Sequence, residues 1–206
     1  NTNLPLDTIE ALAWGSNLDW GYFKHPPVSA FIIKIFYQIF GNQDWAYYLL
    51  SQIFLLISFI FVWKFANNFF NNNKLYSFLS VIVLESIIFY NFTTPEFNVY
   101  VCQLPFRVLT VYYCWKAINS KNLTNWIWFG LYASLGFLTH YSFIFLILGI
   151  ILFFIYKIFK EKKVYFKYFL PIFIFTVIIS PHIFWLFENN FSTIFYALDR
   201  SSIDEK

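Results

Sequence analysis

Residues Trp126–Tyr156 read WIWFGLYASLGFLTHYSFIFLILGIILFFIY. As one continuous helix this stretch would be about 46 Å long at 1.5 Å rise per residue, against roughly 30 Å of bilayer hydrocarbon. The polar connections on either side, 116–122 and 157–167, carry Lys116, Lys121, Lys157, Lys160, Lys162, Lys163 and Lys167, with Glu161 as their only acid. Lysine-rich loops of this kind stay on the cytoplasmic side of a membrane. Two ends on one side require an even number of crossings, so the chain must reverse near Thr139-His140-Tyr141. The stretch therefore predicts two short helices.

The same pattern continues along the chain, with further apolar runs at about 44–63, 76–92, 98–115 and 168–187, each near the roughly 17–25 residues a span needs. The fold class that follows is all-α, a polytopic membrane helical bundle of about six spans. Composition agrees, because 59% hydrophobic and 26% aromatic residues with 12% charged exclude an ordinary soluble domain. No basic, aromatic-interleaved soluble module is present, which argues against nucleic acid as a partner. Cys102 and Cys114 both fall in one apolar run and read as buried thiols. The missing Met at position 1 and the polar end Ser201–Lys206 suggest a piece of a longer polypeptide, and no signal-peptide pattern opens the chain. The expected organisation is one membrane domain over 1–206. In it, 1–43 is an outer loop, 44–187 the membrane helices and 188–206 the start of another outer loop.

With the lysine loops inside, four segments fall outside: 1–43, Thr93–Glu96, Leu138–Tyr141 and the stretch from Pro181 onward. His25, His140 and His182 all land there. Ser29–Phe40 is apolar but too short to span and carries Lys34, which predicts an interfacial helix. In Leu4–Trp14, Asp7 and Glu10 lie one turn apart and can face the same pocket. The ordinary alternative is an acidic first turn favoured by the helix dipole. Glu85 and Arg107 lie equally far before and after Glu96, so a helical hairpin would bring them to one depth. A buried ion pair is expected there, since either charge alone is costly in hydrocarbon.

These outer segments carry an ordered series of motifs: Asp7, then Leu18-Asp19-Trp20-Gly21-Tyr22, Lys24-His25-Pro26-Pro27, Thr94-Pro95-Glu96, Gly136–Tyr141, and Pro181-His182 followed by aromatics to Asn189. The series resembles the outer loops of the C-type (GT-C) glycosyltransferases, in the bacterial branch related to protein O-mannosyltransferases and the lipid A aminoarabinose transferase. Thr8 stands where that family usually has the Glu of an Asp-Glu pair, and His140 where a Lys is usual.

The resemblance implies a membrane glycosyltransferase that moves a sugar from a polyprenyl-phosphate donor to an envelope lipid, glycan or protein. It places the protein in the cell inner membrane, multi-pass, with its site facing the exterior. Asp7 is the expected base for the acceptor hydroxyl, with Glu10 and Glu96 orienting the acceptor. Lys24, His25, His140 and Tyr141 are expected at the donor phosphate. Trp14, Trp20, Tyr22, His182 and Asn189 are expected to line the substrate. The cofactor is undetermined. A divalent cation is the open option, with Glu10, Glu96 and His182 as its candidate ligands. The competing classes are a transporter or flippase for lipid-linked substrates and a non-catalytic membrane scaffold. Polarity gathered at one face, with no broken helix at mid-membrane, favours the enzyme.

Overall fold

The computed structural model describes residues 4–203, with side chains described to Arg200, and its secondary structure is helical throughout. Two short helices come first, α1 (Leu6–Ser16) and α2 (Val28–Phe40). They pack on each other, and Gly15 sits where a Cβ would meet the Ala30 carbonyl at 3.2 Å. α2 covers Ser29–Phe40 as expected of the interfacial helix. It buries Ala30 and Ile33 and leaves Ile35 and Ile39 exposed.

The long α3 (Asp44–Phe69) follows, then α4 (Lys74–Glu85), whose first N–H groups are capped by the Asn73 side chain. The expected span 76–92 is interrupted. Extended backbone at Ile87 separates α4 from a single turn, α5 (Ile88–Asn91). α6 (Val99–Asn119) opens on an Asn98 cap and packs against α3 and α7 (Thr124–Phe137).

The chain then breaks where the length of Trp126–Tyr156 requires. α7 ends at Phe137, a 3-10 turn occupies Tyr141–Phe143, and α8 (Ile144–Glu161) follows. A second 3-10 turn, Phe166–Tyr168, leads into α9 (Phe169–Glu188). Residues beyond it, expected to open another outer loop, form α10 (Ser192–Ile203). Residues 204–206 of the polar end lie outside the described residues.

Among the described residues, three helices are long and apolar enough to cross a membrane: Asp44–Phe69, Tyr141–Glu161 and Phe166–Glu188. The other runs read as spans fall short for identifiable reasons. α4 stops after 12 residues, α7 has 14, and α6 carries Gln103, Arg107 and Lys116 among its 21.

Two apolar clusters hold the bundle. One joins Ala11, Ile33, Tyr47, Leu50, Phe97 and Leu138, and so ties both N-terminal helices to α3 and to the loops before α6 and α8. The other gathers Cys114, Trp126, Phe129 and Tyr168 at the lysine-bearing end. Both cysteines are free and buried, as the sequence predicts.

The expected Glu85–Arg107 ion pair does not form. α4 packs on α3 while α6 packs on α3 and α7, so α4 and α6 are not the hairpin that would match their depths. Glu85 ends exposed where α4 stops. Arg107 instead donates from Nε to Gln103 Oε1 at 2.8 Å and from Nη2 to Ser142 Oγ at 3.3 Å. A half-buried guanidinium is satisfied here by neutral acceptors.

Candidate active site

The N-terminal helices are pinned to the bundle by buried polar contacts. Thr8, which replaces the acid expected at its position, is 1% exposed, and its hydroxyl donates to the Phe97 carbonyl at 3.0 Å. This contact fixes α1 over the loop that carries Glu96. That loop is held from below by α3, since the Thr94 carbonyl accepts from Ser51 Oγ and from Gln52 Nε2. The first N–H of α2, on Val28, donates to the Leu138 carbonyl at 3.0 Å and so ties the Lys24–Pro27 segment to the turn before α8.

These anchors bring five of the sequence-selected residues around one cavity of about 370 Å³: Asp7, Glu10, Lys24, His25 and His140. Tyr100 at the start of α6 completes one wall, and α10 supplies Tyr196 and Arg200. Lys24 Nζ lies 2.6 Å from Glu10 Oε1, and this contact raises the Lys24 pKa. Glu96 sits half-buried behind the cavity beside Asp7. Burial, reinforced by the Asp7 charge, raises its pKa, while the Asp7 backbone N–H pulls the other way.

The two cavity histidines face each other at 5.3 Å between ring centroids. Burial is the main cause that pushes His25 down to about 4, helped by His140, Lys24 and Arg200. His140 is also lowered, by burial first and by Arg107 second. Both are therefore neutral at pH 7 and serve as single N–H donors, not as cations. For His140 the tautomer follows from its contacts. Nδ1 accepts the Ser142 N–H at 3.1 Å, so the ring proton is on Nε2. The positive charge of the cavity rests on Lys24 and Arg200.

Trp14 and Tyr22 form the second layer. Trp14 stacks on Tyr22 at 5.4 Å and meets His25 edge-on at 5.6 Å, holding the imidazole against the cavity.

The remaining candidates are placed elsewhere. His182 is 1% exposed with both ring nitrogens occupied: Nδ1 donates to the Trp20 carbonyl at 2.6 Å, so Nε2 accepts the Tyr141 hydroxyl at 2.7 Å. It is a strut between the first loop and α9, and it draws Tyr141 away from the cavity. Trp20 is 47% exposed and edges onto Phe31, and Asn189 is exposed and donates to the Trp185 carbonyl at the end of α9. Asp19 accepts the Trp185 indole N–H at 2.8 Å, a second tie between the first loop and α9. The candidate cation ligands do not converge. Glu10 is paired with Lys24, His182 is fully bonded, and among the described residues no three His, Cys, Asp or Glu side chains gather as a metal site.

Sequence reading missed Tyr196 and Arg200, which α10 delivers only once the bundle is assembled. It also missed Tyr100, whose ring lies 4.8 Å from His140. An Arg and a Tyr four residues apart on one helix face were the available signal, and nothing local says which surface that face meets.

The family model described as dolichyl-phosphate-mannose-protein mannosyltransferase matches residues 24–185. The match takes in Lys24, His25, Glu96 and His140 and leaves α1, with Asp7 and Glu10, just before it. No curated protein and no solved structure matches the chain. With most of the chain matched, from the Lys24–Pro27 segment into α9, the protein belongs to the dolichyl-phosphate-mannose-protein mannosyltransferase family of membrane glycosyltransferases.

Proposed function

We propose that the protein transfers a sugar from a polyprenyl-phosphate donor to a hydroxyl of an envelope lipid, glycan or protein at the outer face of the cytoplasmic membrane. The observation that carries this is the convergence of two carboxylates, a lysine, an arginine and two neutral histidines on one cavity at the end of the bundle away from the lysine loops. An acceptor hydroxyl attacks the anomeric carbon, its oxygen forms the new glycosidic bond, and the bond from that carbon to the phosphate oxygen breaks. The electron pair leaves with the polyprenyl phosphate, and Asp7 takes the hydroxyl proton.

Each cavity wall has a part in that step. Lys24 and Arg200 offset the phosphate charge as it develops, while His25 and His140 donate N–H groups to its oxygens. Glu10 holds Lys24 until the phosphate arrives and competes for it. Glu96, behind Asp7, keeps a second carboxyl within reach of the acceptor. A lipid-linked donor enters from the bilayer, so a cavity bounded by interfacial helices suits it.

The test supplies the full-length protein in membranes with radiolabelled polyprenyl-phosphate sugars and compares wild type with Asp7→Asn. Loss of transfer with retained folding is the expected result. Undiminished transfer removes Asp7 as base, and transport of the intact lipid-linked sugar without transfer would favour a flippase.

A further inference from the structure

A second cavity, about 380 Å³, lies between α7, α8 and α9 toward the lysine-bearing end. Its floor is closed by direct contact of α7 and α9, because a Cβ at Gly130 would lie 2.9 Å from the Pro171 backbone. α8 covers that floor only in part. Ile150, Phe154 and Ile158 pack against the Trp126–Phe129–Tyr168 cluster, yet no residue of α8 is fully buried. The wall α8 presents is the stripe Ile147, Ile151, Phe154 and Ile158, at helical spacing, facing Trp126 and Tyr168.

Length and charge identify what fills it. Ile147 to Ile158 is roughly 16 Å of helix at 1.5 Å per residue, about half of a ~30 Å hydrocarbon core. A groove one leaflet deep matches an acyl chain and is too short for a spanning helix. At its mouth Val164 and Tyr168 line the groove, and Lys162, Lys163 and Lys167 flank them. The Lys167 ammonium lies 5.5 Å from the ring centroid of Trp126, which lines the groove, and 5.3 Å from that of Tyr165. Glu161, the only acid between Tyr141 and Phe187, is already paired with Lys157 at 2.5 Å.

We propose that the groove holds one acyl chain of an anionic phospholipid from the leaflet on the lysine side, with its phosphate among Lys162, Lys163 and Lys167. The lipid packs beside Phe154, whose ring meets Trp126 at 6.0 Å and Tyr168 at 5.1 Å, and widens the contact of α8 with the α7–α9 pair. This site is separate from the sugar-transfer cavity and stands or falls without it.

The experiment places the full-length protein in phosphatidylcholine nanodiscs doped with phosphatidylglycerol or phosphatidylcholine that carries a diazirine on the acyl chain. Crosslinked peptides are then mapped by mass spectrometry. Phosphatidylglycerol should label the α8 and α9 groove residues at least about fivefold above phosphatidylcholine, the preference one well-placed lysine confers. The triple variant Lys162→Gln, Lys163→Gln, Lys167→Gln should bring the two lipids level. Ile151→Trp, which fills the groove and leaves the lysines, should abolish groove labelling by both. Equal labelling by the two lipids in the wild type would overturn the proposal. So would crosslinks between protein copies across this face in place of lipid adducts.

Discussion

At the scale of single residues, His25 shows how burial changes what a side chain can offer. Its folded pKa near 4 lies well below the ordinary value of about 6.5. As pH falls from about 6.5 toward 4, the unfolded chain takes up a proton that the folded chain refuses, so stability declines across that window and is unaffected above it. His140 shifts in the same direction, whereas Glu96, raised in the fold, works with the opposite sign. His25→Gln should therefore flatten the loss of stability between about pH 6.5 and 4, measured by thermal unfolding in detergent across pH. An unchanged acid limb would mean that His25 titrates normally.

Thr8 makes a second residue-scale case. Thr8→Val strands the buried Phe97 carbonyl and should cost about 1–3 kcal/mol of stability, while Thr8→Ser should recover most of it. Gly21 has no room for a side chain, because a Cβ there would lie 2.3 Å from the Trp185 ring. Gly21→Ala should push Trp185 off Asp19 and His182 at a cost of about 1–3 kcal/mol, read as a lowered unfolding midpoint.

At the scale of elements, α6 lines the cavity with Tyr100 and also acts on it through Arg107, which does not line it. Gln103 joins Arg107 to the turn before α8, accepting from the guanidinium and donating from Nε2 to the Gly136 and His140 carbonyls at 3.2 and 2.8 Å. Arg107 also depresses the His140 pKa. Arg107→Gln should raise that pKa toward its ordinary value and shift the pH profile of transfer upward, with the histidine titration followed by NMR. A variant that only lowers the amount of folded protein, with the profile unmoved, would confine Arg107 to a structural role. The interruption between α4 and α5 matters in a similar way. It lets residues 92–98 fold back on Ser51 and Gln52, which sets Glu96 under α1.

At the scale of the whole molecule, the polar cavity and the lysine clusters occupy opposite ends of the bundle. The exposed positions Asn42 and Asn122 lie toward these two ends. Both native cysteines are buried, so Asn42→Cys and Asn122→Cys should react with a membrane-impermeant maleimide from opposite sides of sealed vesicles. Labelling from one side would overturn the assigned topology.

Much of this was legible in the sequence because local patterns carry it. Helix periodicity, the length limit of hydrocarbon and the Pro26-Pro27 stop before α2 define the elements, and the Asp7/Glu10 spacing puts both acids on one face whatever surrounds them. What surrounds them was decided by tertiary structure. Packing of α4 on α3 undid the Glu85–Arg107 pair, Trp20 and Tyr141 saturated His182 into a strut, and α10 carried Arg200 to the cavity that Lys24 lines. Those outcomes depend on which helix faces meet. A chain in which nearly every face is apolar does not encode that choice in its periodicity, and the few buried polar atoms that need partners settle it only when the helices assemble.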